Sequence, residues 1–128
     1  MSVLNVVVIG NGMVGHHYVD YLSSLNTGAK ITVIGGEPRP AYDRVHLSEY
    51  FAGKSAENLA ITTRAYYEEI GVGAHFGDPV AKINRDKKVV VTEGGQQFSY
   101  DKLVLATGSY PFVPPVPGHD QDGCLTYR

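Results

Sequence analysis

"VVVIGNGMVGHHYVDYL", residues Val6 to Leu22, passes from an apolar run through three glycines into a helical pattern. It opens on an apolar, β-branched run, the composition of a strand buried on both faces as in a parallel sheet. Leu4 to Ile9 is read as that strand. Glycines then fall at Gly10, Gly12 and Gly15, and each has its own task. Gly10 permits the tight turn from strand to helix. Gly12 removes a Cβ so that phosphate can reach the backbone. Gly15 lets the helix pack close to the strand. From Met13 the apolar residues Met13, Val14, Tyr18, Tyr21, Leu22 and Leu25 recur three or four apart, which predicts a helix ending near Asn26, with Gly28 just beyond it. The first amides of that helix, at Met13 and Val14, are free to bind a pyrophosphate at its positive end.

Outward from this turn, Lys30 to Ile34 reads as a second buried strand. Strand, helix and strand make a βαβ unit. Glu37 follows it directly. A carboxylate there can accept hydrogen bonds from both ribose hydroxyls of adenosine and repels a 2′-phosphate, which argues against NADP at this position. The glycines alone do not separate FAD from NAD. A glycine-rich turn with a solvated loop acid is the bland alternative, and the strand before and helix after the turn weigh against it.

Beyond Pro40 the segment "AYDRVHLSEYFAGKSAENLAI" carries Ser48 and Ser55 as caps of short helical pieces. Thr62 or Thr63 caps "RAYYEEIG", closed by Gly71. Gly73 to Phe76 is a brief strand. Residues 80–100 alternate around turns at Asp86 and Gly94-Gly95, the pattern of an antiparallel meander. "KLVLATGS" is a further buried strand ending at Gly108. The tail "YPFVPPVPGHDQDG" holds four of the seven prolines and no periodicity, so it reads as extended chain. The expected architecture is α/β: a Rossmann-like dinucleotide-binding domain over residues 1–110, its parallel sheet begun by the βαβ unit, with an inserted meander. Residues 111–128 are read as a linker.

At 128 residues the chain has the length of one domain. A net charge of -2 gives no general attraction to nucleic acid or to anionic membranes. No apolar run reaches the ~18–20 residues of a membrane span, and Met1 to Asn5 lack the basic start of a signal peptide. A cytoplasmic location is expected. The single cysteine, Cys124, forms no internal disulfide and cannot ligate an iron–sulfur cluster within this chain. His16 and His17 point about 100° apart on a helix and have no companion ligand at metal spacing, so no metal site is expected. The nine tyrosines are read as half-buried packing residues.

Three segments carry a resemblance. "GNGMVGH" at Gly10–His16, Ala41–Phe51 with its Arg44-Val45-His46-Leu47-Ser48, and "DKLVLATGSYPFVPPVPG" at Asp101–Gly118 resemble the large subunit of NAD(P)H-dependent nitrite reductases. These belong to the flavoprotein reductases that bind two dinucleotides. The meander before the Ala106-Thr107-Gly108 strand end is also that family's layout. The resemblance implies FAD at the glycine turn, with Ala106, Thr107 and Gly108 where the chain passes its pyrophosphate. It implies Arg44 on the FAD phosphates and Val80 near the adenine through its backbone. Ser48 and Glu49 stand where related reductases place Ser-Lys beside the flavin; here the lysine is missing, so no cation is assigned to that role. His46 is open between a place near the flavin and simple packing. The resemblance implies hydride transfer from NAD(P)H to FAD and onward electron transfer in nitrate assimilation. The sirohaem and iron–sulfur centre would lie outside this chain. The domain would be an incomplete one, completed by the remaining domains of a longer polypeptide, and inactive alone. A ferredoxin- or rubredoxin-type reductase segment, or a non-redox adenine-nucleotide module, are the alternatives. A homodimer is open.

Overall fold

The computed structural model describes residues 3–126; Met1, Ser2, Tyr127 and Arg128, which the expected limits 1–110 and 111–128 include, lie outside the described residues. The strands are β1 (Asn5–Ile9), β2 (Lys30–Gly35), β3 (Gly73–Phe76), β4 (Val80–Asn84), β5 (Val89–Thr92), β6 (Gln97–Ser99) and β7 (Lys102–Leu105). The helices are α1 (Met13–Ser24), α2 (Ala56–Leu59) and α3 (Arg64–Glu69), with a 3-10 turn at Leu47–Tyr50.

β1, β2, β3 and β7 form one parallel sheet in the order β3-β2-β1-β7. β4, β5 and β6 form a separate antiparallel meander. The two-residue period of a strand divides the core into two. Val6 and Val8 of β1, with Ile31 and Val33 of β2, pack against Val19 of α1 and Tyr67 of α3. Val7, Ile9 and Ile34 turn to the other face and meet Val90, Phe98 and Tyr100 of the meander. The parallel sheet is thus the middle layer of three, which is why β1 is apolar at every position from Val6 to Ile9 rather than at alternate ones.

α1 buries a different face from the residues whose spacing predicts it. Gly15 and Val19 are the buried positions, and Leu22 is partly buried. Val14, Tyr18, Tyr21 and Leu25 are exposed, Val14 by 74%. The physical reason is Gly15, which must sit on the strand and therefore turns Val19 and Leu22, its i+4 and i+7 neighbours, inward. The helix closes on Leu25, and Asn26 takes the left-handed conformation at φ 49.

Ser55 caps α2 in a reciprocal box with Asn58, and Thr63 caps α3 by accepting from the Tyr66 amide. Ser48 is no cap: it lies inside the 3-10 turn, whose first flanking residue is His46. β7 stops at Leu105, short of Gly108. The Ala106 amide still bonds the Ile9 carbonyl at 2.8 Å, but Gly108, at φ 67, then carries the chain away from the sheet. The tail has no regular structure up to Pro117 and then folds into turns over residues 117–123. The tyrosines divide rather than share one half-buried state, from Tyr67 at 0% exposure to Tyr110 at 87%. Among the described residues no helix is long and apolar enough to cross a membrane.

Candidate functional site

A cleft of about 1060 Å³ opens at the carboxyl ends of β1, β2 and β7. This is where open α/β sheets place their ligands, because the turns there lead into helix N-termini. Its floor is the turn Gly10–Val14. Gly10 sits at φ 109, and a Cβ there would overlap the Ala106 carbonyl oxygen. A Cβ on Gly15 would overlap the Gly10 carbonyl oxygen. These two glycines therefore serve the close approach of turn, helix and β7. Gly12 differs: a Cβ there would meet no atom within 4 Å. The space it leaves belongs to the cleft, at the start of α1. The first helical bond is from the His16 amide to the Gly12 carbonyl at 3.0 Å. The amides of Met13 and Val14 therefore have no partner within the helix, and no acidic side chain occupies the first turn.

One wall comes from residues 35–47. Glu37 accepts hydrogen bonds from the Arg44 guanidinium and, at 3.2 Å, from the Tyr42 hydroxyl. Arg44 also stacks over the Tyr42 ring, 4.8 Å from its centroid. Burial, and then the bond to Glu37, push the Tyr42 phenol above its ordinary pKa. The segment is held by residues far along the chain. The Asp43 amide bonds the Leu59 carbonyl at 2.8 Å, the Ile61 amide bonds the Ala41 carbonyl at 3.1 Å, and Ala41 and Leu59 are buried. Pro79 and Val80 enter from the meander, and residues 105–111 close the far side.

Of the residues the sequence singles out, the cleft brings together Gly10, Gly12, Met13, Val14, Glu37, Arg44, Val80, Ala106, Thr107 and Gly108. Gly15 lies behind it, and Ser48 is exposed outside it, on the turn whose Leu47 does line it. Glu49 pairs with Lys54, which holds its carboxyl below the usual range. His46 bonds the Asp43 carboxylate at 2.6 Å. Arg39, Asn11, Leu47 and Tyr110 also line the cleft and were not read from the sequence. Arg39 follows Glu37 by two positions and Asn11 lies between two motif glycines, so proximity to the motif was the available signal. With Arg39 and Arg44 against Glu37, the wall carries more positive than negative charge, which suits a diphosphate. Among the described residues no three His, Cys, Asp or Glu side chains are grouped to hold a metal.

Comparison with known proteins places these features in a family. The pyridine nucleotide-disulphide oxidoreductase family matches residues 4–128. The nitrite reductase [NAD(P)H] large subunit of Klebsiella oxytoca is 48% identical over 125 residues, covering 96% of this chain and 13% of that protein. The nitrite reductase (NADH) large subunit of Escherichia coli K12 is 45% identical over 130 residues, covering 100% and 15%. The chain therefore spans about a seventh of the length of these curated relatives. Putidaredoxin reductase, solved in covalent complex with putidaredoxin, superposes with a TM-score of 0.82 at 32% identity, over 91% of this chain and 28% of that one.

Proposed function

This chain belongs to the pyridine nucleotide-disulphide oxidoreductase family, and from that premise we propose that it is the FAD-binding segment of an NAD(P)H-dependent nitrite reductase. Residues 1–110 form the dinucleotide-binding unit, and residues 111–128 lead toward an NAD(P)H-binding part.

The observation that carries the reading is the open space at Gly12, which faces the free amides of Met13 and Val14 within reach of the paired Glu37 and Arg44. The residues fit the adenosine diphosphate half of FAD. The turn amides hold the diphosphate, and Arg44 bridges its oxygens. Glu37 accepts from the ribose hydroxyls, exchanging its present bonds to Tyr42 and Arg44 for them. Val80 meets the adenine through its backbone, and Ala106 to Gly108 flank the diphosphate. FAD, held by these residues, would supply the redox chemistry of hydride acceptance from NAD(P)H and onward electron transfer to a sirohaem and iron–sulfur centre borne elsewhere. The protein's part is to bind, orient and exclude NADP from this cleft. No acid, base or nucleophile is required of these residues.

Titration of the purified chain with FAD, ADP and NAD, read by calorimetry and flavin absorbance, tests this. FAD and ADP are expected to bind with equal, modest affinity, since the residues found build the adenosine diphosphate half. Preference for NAD over both would overturn the FAD assignment.

A further inference from the structure

We propose that Tyr67 is a positioning residue for nucleotide binding: its buried hydroxyl ties Asn11, inside the glycine turn, to His16 on α1, and so presets the turn that receives the diphosphate. The inference rests on reading the cleft as a dinucleotide site.

Tyr67 lies on α3, far from the turn in sequence, and its residue is 0% exposed. Its ring packs against Phe76, with centroids 6.3 Å apart, and His16, at 5.7 Å. A phenol so deeply buried needs partners for its hydroxyl; the buried Thr62 side chain faces it, and the two groups it bonds belong to the segment that makes the site. Asn11 Nδ2 donates to the Tyr67 oxygen at 2.8 Å. The His16 Nδ1 lies 2.8 Å from the same oxygen. The phenol has one proton, and with Asn11 donating to it the hydroxyl can give that proton to His16 Nδ1. This polarity requires a neutral imidazole with its own proton on Nε2. Burial favours that neutral form and outweighs the opposing Asp20 carboxylate on the same helix. The other groups facing the imidazole are His17 on α1 and the Tyr66 and Tyr67 rings from α3.

What the tie does follows from its place in the chain. Asn11 stands between Gly10, which is already held by its amide bond to the Ile34 carbonyl at 2.8 Å, and Gly12, whose backbone has the wider conformational range of a glycine. A ligand that had to order such a turn would lose affinity to the entropy of doing so. Anchoring the one side chain between the glycines to the core settles the turn before the ligand arrives. Asn11 Oδ1 is buried without a partner, so the Nδ2 bond to Tyr67 is the hydrogen bond that fixes this side chain.

The test is ADP affinity by calorimetry for the wild-type chain, Tyr67→Phe, Asn11→Ala and the double variant, with the backbone amide shifts of Gly10 and Gly12 followed by NMR. Each single variant is expected to bind ADP about five- to tenfold more weakly. The double variant should lose no more than the weaker single, because both changes cut one connection. Tyr67→Phe should also move the Gly10 and Gly12 amides in the free protein. A lowered melting temperature with unchanged ADP affinity and unmoved glycine amides would make Tyr67 merely structural and overturn the proposal. So would additive losses. If Tyr67→Phe does not fold, His16→Phe removes the other anchor from a partly exposed position and is read by the same two measurements. Absence of any ADP binding to the wild-type chain would instead sink the nucleotide reading, and this inference with it.

Discussion

The three motif glycines look alike in the sequence and do different work. Gly10 and Gly15 are needed by the fold, because a Cβ on either would strike backbone. Gly10→Ala is expected to destabilise the chain by roughly 3 kcal/mol or more, through left-handed strain and overlap with Ala106. Gly12→Val should leave the denaturation midpoint close to wild type, since its side chain enters open space, and yet abolish ADP binding by filling that space. Wild-type affinity in Gly12→Val would refute the assigned site. Glu37 makes a second residue-level case. Its removal is expected to weaken ADP binding by roughly 1–3 kcal/mol as the ribose bonds are lost. Calorimetry with ADP and 2′-deoxy-ADP separates that loss from an indirect effect of freeing Arg44: the discrimination between the two ligands should shrink in the variant. That Gly10, Gly12 and Glu37 line one cleft was legible in advance from the glycine motif and the acid after β2. The pairing of Glu37 with Arg44 and Tyr42 was not, because residues 41–43 are placed by residues 59–61 across the chain.

At the scale of single elements, α1 and the meander each depend on one polar anchor. His16 on α1 is held below its ordinary pKa of 6.5, mainly by burial. The unfolded chain therefore takes up this proton before the folded one does. Stability is full above about pH 6.5 and falls as the pH drops from there toward the lowered folded value. Urea denaturation at about pH 7.5 and about pH 5.5 should show this loss, and His16→Phe should flatten it. The meander is anchored by Asp78, just before β4. Its carboxylate accepts from His75 Nε2 at 2.8 Å, from the Thr92 hydroxyl at 2.6 Å and from the Gly94 amide at 2.7 Å. These bonds hold its carboxyl below the ordinary value of 3.8. Their contribution is present above that value and is lost as the pH falls through the lower folded one, a window well separated from that of His16. Gly94→Ala is expected to lower the unfolding midpoint and to raise amide hydrogen exchange in β5 first, since a Cβ there would crowd the Asp78 carboxylate at 2.9 Å. Unchanged exchange in β5 would show that the meander does not rely on this anchor. The apolar spacing predicts the helix but not the face that α1 buries, for a definite reason: tyrosines and Val14 count as apolar in any periodicity, while the inward position is fixed by the packing of Gly15 on the strand.

At the scale of the molecule, the cleft exists only where three layers end together. The turn Gly10–Val14 at the ends of β1, β2 and β7 supplies its floor, residues 35–47 one wall, and the meander its edge at Val80. A ligand that bridges these parts binds the folded chain and not the unfolded one. ADP at a hundred times its dissociation constant is therefore expected to raise the unfolding free energy by about 2.7 kcal/mol, measured as a shift in thermal or urea midpoint. A shift in wild type that is absent in Gly12→Val would tie the stabilisation to the cleft. No shift at saturating ADP would mean that the ligand does not draw on the shared fold.

The order of elements, the glycine turn and the acid after β2 can be read from the chain alone. All three are local: a strand pattern, a tight turn and a residue directly beyond a strand are fixed by a few neighbouring side chains. The separate antiparallel sheet was also legible, because its alternation and turns are written within residues 80–100. Which face of α1 is buried, where β7 ends, how Arg44 meets Glu37, and that Tyr67 reaches Asn11 emerge from the folded chain. Each of these depends on groups distant in the chain brought within a few ångströms, as Tyr67 and Asn11 are at 2.8 Å. No local pattern encodes such a contact, since its energy arises only when the layers close around a shared core.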